Sequence, residues 1–173
     1  MTYTCTIETP LGAMTAAAAD EALVGLWFDG QRYFPAVKSQ WKHAPDHPLF
    51  AALRLQLHRY FSGELQSWEL RLAPKGSPFQ LEVWQALRGI PYGETVTYGM
   101  LAKEIAAGRG LGSMSAQAVG GAVGHNPISI LIPCHRVVGS NGGLTGYAGG
   151  LDRKEALLRL EGPTAAPSGH TTT

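Results

Sequence analysis

Charge is scarce in this chain of 173 residues. Asp, Glu, Lys and Arg together make up 16%, against about a quarter in ordinary globular domains. With 45% hydrophobic residues, that scarcity excludes a chain too charged to bury a core. Cysteine is scarcer still: only Cys5 and Cys134 are present. A disulfide framework is therefore excluded, and a reduced, cytoplasmic setting is expected. No apolar run approaches the ~18 residues of a membrane span. The opening MTYTCTIETPLG lacks the basic and apolar regions of a signal peptide. Acidic residues are missing altogether from Ile105 to Leu151, while Arg109, His125, His135 and Arg136 lie inside. A face without carboxylates suits a polyanion. The alternative is a stretch uncharged simply because it is rich in Gly and Ala. The net charge of +1 does not decide between them.

What is present divides near Ala73-Pro74-Lys75-Gly76. Before it, Tyr3–Thr9 alternates, Pro10-Leu11-Gly12 is a turn, and Ala13–Ala19 and Leu23–Phe28 read as further strands. Gln31–Pro48 has no clear period. Leu49, Phe50, Leu53, Leu57, Tyr60 and Phe61 sit at helical spacing and Gly63 stops them. After the boundary, Ser77-Pro78-Phe79-Gln80 predicts a helix with a capping box. Its inward face is Phe79, Val83, Trp84 and Leu87. Helices over about Thr97–Ala106 and Ser115–Val123, joined by a Gly-rich turn, predict a long-turned helix-turn-helix. Ile128–Ile132 reads as an apolar strand, Gly139–Gly150 as loop and Asp152–Leu160 as a last helix. The expectation is a mixed α/β (α+β) chain: residues 1–75 a small sheet with one helix, 76–162 mainly helical, and 163–173 a disordered tail.

Cys134 stands between Pro133 and His135, with Arg136 next. A lone cysteine beside an apolar strand is ordinarily a small buried hydrophobe. An adjacent imidazole and guanidinium instead favour the thiolate, the nucleophilic form. Helix Ser115–Val123 carries almost no bulk, and each of its paired glycines, Gly120 and Gly121, costs roughly 1 kcal/mol in a helix interior. Close approach of another backbone, whether nucleic acid or a packed helix, would offset that cost.

Pro133-Cys134-His135-Arg136 resembles the signature of the O6-alkylguanine-DNA alkyltransferases, the methylated-DNA–protein-cysteine methyltransferases. The likeness runs on through Phe79-Gln80, Val83-Trp84, Ile90-Pro91-Tyr92-Gly93, Thr97-Tyr98, Ala118-Val119-Gly120, Asn126-Pro127, Gly142 to Gly150 and Lys154 to Gly162. That is about half the chain. The N-terminal half matches more loosely, through Thr9-Pro10-Leu11-Gly12 and Tyr60-Phe61-Ser62-Gly63. The resemblance implies a ribonuclease H-like N-terminal domain and a winged helix-turn-helix-like DNA-binding motif. It also implies a monomeric suicide repair protein that binds duplex DNA in the minor groove, flips the alkylated base and keeps the alkyl group. Carried over, Cys134 is the acceptor and His135 the base that takes its proton. Glu161 orients that histidine, Asn126 braces the turn, and Tyr98 donates to the departing guanine. Ser115, Ala116, Gln117, Ala118, Gly120, Arg136, Val137, Tyr147 and Ala148 fall at DNA- or base-contacting positions. No cofactor is implied. Some relatives bind zinc in the N-terminal domain, but Cys5, His43, His47 and His58 have no metal-ligand spacing, so no metal is expected.

Two departures stand out. Many members have Arg where this chain has Gln117, and some have a hydroxyl residue where it has Ala148. Competing readings are a non-catalytic lesion-binding protein and a cysteine hydrolase or acyltransferase. Within the motif, Tyr98 could be a plain helix-start aromatic and Glu161 a solvated helix-end carboxylate.

Overall fold

The structure, a computed structural model, describes residues 1–36 and 40–162. The expected disordered tail, 163–173, lies outside the described residues. Those residues divide into two compact units: Met1–Lys75 with Pro127–Ser129, and Gly76–Asn126 with the chain from Ile130 onward.

The first unit is a sheet with one helix. Strands β1 (Tyr3–Thr9), β2 (Gly12–Ala19) and β3 (Ala22–Phe28) form an antiparallel meander, and β4 (Lys42–His43) extends it beyond β1 to give the order β3-β2-β1-β4. The turn after β1 is closed by Thr9, whose hydroxyl donates to the Gly12 carbonyl at 2.7 Å and accepts from the Leu11 N–H. Asp20 and Glu21, both with positive φ, turn β2 into β3. Gly25 cannot be replaced without cost, because a Cβ there would lie 1.9 Å from the Trp27 ring. Strand β4 (Lys42–His43) pairs parallel to β1. It falls in the stretch expected to be irregular, since two residues are too few to show a period. Helix α1 (Pro48–Phe61) follows, burying Phe50, Leu53, Leu57 and Tyr60. The short segment Pro127–Ser129 completes this unit. The Leu26 N–H donates to the Pro127 carbonyl at 2.8 Å, and the Ser129 N–H to the Leu26 carbonyl at 2.9 Å.

The second unit is mainly helical. Helix α2 (Pro78–Arg88) has the predicted capping box: Ser77 accepts from the Gln80 N–H and the Gln80 side chain accepts from the Ser77 N–H. Val83, Trp84 and Leu87 are buried. The Trp84 indole donates to the Ala122 carbonyl at 2.8 Å, which ties α2 to α4 (Ala116–Gly124). Helix α3 (Tyr98–Gly108) is capped by Thr97, and α4 by Ser115. The segment Arg109–Ser115 between α3 and α4 is the long turn of the expected helix-turn-helix. Two short strands, β5 (Val96–Thr97) and β6 (Val137–Val138), pair in parallel. Helix α5 (Leu151–Glu161) closes the unit.

Ile128–Ile132 is not a strand. Ile128 makes one isolated bridge to Leu26. Ile130, fully buried, then takes φ +73°, a conformation that strains a β-branched residue by on the order of 1–3 kcal/mol. The β-branched composition reports burial here, and burial was mistaken for strand.

Candidate active site

A buried turn carries the cysteine. Cys134–Arg136 form one turn of 3-10 helix, and the Cys134 N–H donates to the Ile132 carbonyl at 2.8 Å. Asn126, at the end of α4, is buried, and its amide donates to that same carbonyl at 2.7 Å. The Asn126 bond holds the two ends of the strained segment together, which is how Ile130 keeps its backbone conformation. Strand β6 follows directly, and its partner β5 ends at Thr97, so Tyr98 opens α3 directly after the strand paired with β6.

Cys134 is a free thiol, 7% exposed. Burial pushes its pKa up, while a hydrogen bond from Asn126, the charge of Lys154 and the backbone draw it down. The charge of His135 and Arg136, expected from adjacency to favour the thiolate, is not among the influences on it. Their side chains are directed to Glu161. His135 is 0% exposed, and its Nε2 lies 2.7 Å from Glu161 Oε2. Arg136 Nε and Nη2 donate to Glu161 Oε1 and Oε2 at 2.7 and 3.0 Å, and Nη1 donates to the Ile90 carbonyl at 2.7 Å. The Arg136 guanidinium lies over the Tyr92 ring, 5.7 Å from its centroid.

The electrostatics follow from this packing. Burial lowers the His135 pKa against the pull of Glu161, so the imidazole is neutral. Burial alone would raise Glu161, but His135 and Arg136 hold it down to about 2. One imidazole nitrogen is thus engaged with a carboxylate. The other, Nδ1, is buried with no hydrogen-bond partner among the described residues. A neutral imidazole oriented this way is a general base with one nitrogen available for a proton. A thiol, a neutral imidazole and a carboxylate in this order can serve as nucleophile, base and orienting acid. Glu161 is therefore not a solvated helix-end carboxylate.

The chain matches known proteins over nearly its whole length. Residues 1–74 match the family described as 6-O-methylguanine DNA methyltransferase, ribonuclease-like domain, and residues 78–163 the DNA binding domain of the same name. The methylated-DNA–protein-cysteine methyltransferase of Mycolicibacterium paratuberculosis is 47% identical over 90% of each chain, and that of Methanosarcina acetivorans 45% over 92% of this chain and 98% of its own. The chain belongs to this family. A crystal structure of Mycobacterium tuberculosis OGT in complex with DNA superposes with a TM-score of 0.82, at 43% identity and 98% coverage of both chains. The mixed α/β architecture, with a small N-terminal sheet and a helical C-terminal part, is shared with that structure.

The structure places the remaining expected residues of this methyltransferase in two groups. Ser115, Ala116, Gln117 and Ala118 are exposed on the first turn of α4, with Val119, Ala122 and Val123 turned inward. The Ser115 hydroxyl is used as the cap, accepting from the Ala118 N–H at 3.1 Å. Gly120 faces the Tyr98 ring, where a Cβ would meet ring carbons at 3.8 Å, and Gly121 faces open space. Neither distance demands glycine. Tyr147 and Ala148 are half-buried in the loop before α5, and Tyr98 is half-buried with its hydroxyl 3.5 Å from the Thr145 carbonyl.

Two further residues at expected DNA- or base-contacting positions are buried. Val137 is fully buried in β6, and Arg136 is spent on Glu161 and Ile90. The acid-free stretch likewise offers little free charge. Arg109 pairs with Glu82 and lies over Phe79, so both of its arginines are matched by carboxylates from elsewhere in the chain. Sequence reasoning passed over Lys154, which is fully buried beside the site. The one available signal was a lysine among the inward positions Leu157, Leu158 and Glu161 of α5. Among the described residues, no group of three or more His, Cys, Asp or Glu is placed to hold a metal, and no helix is long and apolar enough to cross a membrane.

Proposed function

We propose that this chain repairs duplex DNA by accepting the alkyl group of O6-alkylguanine onto Cys134, once per molecule. The observation that carries this reading is the buried free thiol beside a neutral imidazole whose far nitrogen is held by a carboxylate. Membership of the methyltransferase family supports it, as does the DNA complex of the M. tuberculosis relative.

In the reaction, His135 Nδ1 takes the Sγ proton. The thiolate attacks the alkyl carbon, the carbon–O6 bond breaks, and its electron pair goes to the purine. Tyr98 donates a proton to the leaving base and is reprotonated by the proton that His135 took from Sγ, so guanine departs neutral and His135 returns to its neutral form. Attack at an sp³ carbon suits a soft thiolate, and extruding the base costs a few kcal/mol, least where the lesion pairs poorly. Residues 76–162 carry this chemistry and the α4 face that enters the minor groove, and residues 1–75 support them. The protein acts as a monomer in the cytoplasm, without cofactor or metal.

Intact mass after incubation with an O6-methylguanine duplex tests the reading. A gain of one methyl per molecule, mapped to Cys134 and followed by no further turnover, is expected. Binding without mass gain would make this a lesion-binding protein, and repeated turnover a hydrolase. The same assay with O4-alkylthymine sets the substrate range.

Gln117 replaces the family's usual arginine on the exposed turn of α4. It hydrogen-bonds the orphaned partner base but neutralises no phosphate. Gln117→Arg is therefore expected to tighten DNA binding and steepen the salt dependence by about one unit of log–log slope. Titrations across salt concentrations check this, and an unchanged slope overturns it.

A further inference from the structure

Strand β1 is covered along only part of its outer edge. Strand β4 pairs with Tyr3 and Thr4, and the Ala44 N–H donates to the Thr4 carbonyl at 2.8 Å. On the other side, Cys5, Ile7 and Thr9 lie in register with Ala16, Met14 and Gly12 of β2. Backbone groups alternate in direction along a strand. The N–H and C=O of Thr6 and Glu8 therefore point the same way as those of Thr4, beyond the end of β4. Among the described residues, no backbone group pairs with them. Such an edge is a template for another strand.

A groove of about 590 Å³ runs beside this edge, between β1 and α1. Ile7, Leu57 and Phe61 give it an apolar floor, and Arg54 and His58, one turn apart on α1, a basic wall. Helix and strand start together, since the ring of His47, the cap of α1, lies 5.2 Å from that of Tyr3. Arg54 thus comes before Phe61 along the groove. The Arg54 guanidinium donates to the Pro45 carbonyl, and no carboxylate among the described residues pairs with it. Glu8 also borders the groove, but strand alternation turns its carboxylate to the face opposite buried Ile7.

We propose that this edge and groove receive an extended, acidic peptide segment of a partner protein, added to the sheet as a strand beside Thr6 and Glu8. Those two residues supply the backbone hydrogen bonds. Alternate side chains of the added strand face α1. One is an acid that pairs with Arg54, and the next but one is apolar and covers Leu57 and Phe61. A second copy of this chain does not match that pattern. The side chains of β1 on that face, Cys5, Ile7 and Thr9, include no acid.

The probes are the acetylated and amidated peptides Thr-Asp-Thr-Val-Thr and Thr-Val-Thr-Asp-Thr, which carry the pattern in both chain directions. Control peptides have Asn for Asp. Amide NMR of the whole protein reads the binding. One Asp probe is expected to shift the Thr6 and Glu8 amides saturably at millimolar concentration and to slow their hydrogen exchange. The Asn control should bind about threefold more weakly. Arg54→Gln should weaken the Asp probe to the same degree and abolish the preference for Asp over Asn, with methyl acceptance by Cys134 unchanged. Thr6 and Glu8 amides that neither Asp probe moves would overturn the proposal, whether or not Arg54→Gln folds. Equal binding of the Asp and Asn probes to wild type would overturn the acidic occupant. Shifts of these amides with protein concentration alone would assign the edge to a second copy and overturn the proposal as well.

Discussion

Cys134→Ser is expected to abolish methyl acceptance while the protein still folds and binds a lesion-bearing duplex. The substitution exchanges one atom in a buried site whose neighbour, Asn126, already supplies a hydrogen bond, so the hydroxyl enters with a partner and costs little stability. Reactivity is a different matter. A neutral imidazole at His135 is matched to the proton of a thiol, whose ordinary pKa is 9.0, and is far too weak a base for an aliphatic alcohol. The oxygen is also harder and less nucleophilic toward an sp³ carbon. Loss of an activated nucleophile commonly costs on the order of 10⁴-fold or more in rate, which for a single-turnover reaction leaves nothing to detect. The check is intact mass beside a binding isotherm on the same duplex. Methyl gain in Cys134→Ser at a measurable fraction of the wild-type rate would move the acceptor elsewhere, and Cys5 would be the next thiol to map.

Glu161→Gln is expected to destabilise the protein by about 3–5 kcal/mol, because it leaves the Arg136 guanidinium buried without its counter-charge. Both carboxylate oxygens are engaged, one by Arg136 and the other by Arg136 and His135. An amide accepts through only one of its two heads. Proton linkage gives the loss a pH signature. The folded-state pKa of Glu161 lies near 2, below the ordinary value of 4.5. A group depressed in this way contributes its full stability above the ordinary value and loses it as pH falls toward the folded one. Wild-type stability should therefore drop between about pH 5 and pH 2 by more than that of Glu161→Gln, the two curves converging in acid. Urea midpoints at a series of pH values measure this. Parallel curves would show that Glu161 is not the titrating carboxylate. Alkyl transfer in the variant should also slow at neutral pH, since His135 would lose the acceptor that fixes its ring.

Composition and periodicity by themselves determined a good deal about this chain. The meander of β1 to β3, helix α1, the capping box on α2 and the two short helices around the Gly-rich turn are all local events, set by alternation, 3.6-residue spacing and caps, and each was legible where it occurs. The Pro133-Cys134-His135-Arg136 motif was legible too, as were Glu161 and Asn126 once the resemblance supplied their roles. What the tertiary structure decided was where charges and backbone polar groups end up. Adjacency placed His135 and Arg136 beside the thiol, but a 3-10 turn swings both side chains onto Glu161, a residue 25 positions downstream of Arg136. The acid-free stretch is open to two readings, a face for a polyanion or a merely uncharged run, and its arginines find carboxylates on α2 and α5. Ile128–Ile132 looked like a strand because burial selects the same β-branched residues that strands do. The pairing of β5 with β6 spans only two residues in each strand and leaves no periodic trace, and Tyr98 opens α3 directly after β5. Lys154 carries only a faint linear signal, its place among the inward positions of α5. Here three converging carbonyls, drawn from a strand and a loop, satisfy its ammonium, and chain folding alone assembles them.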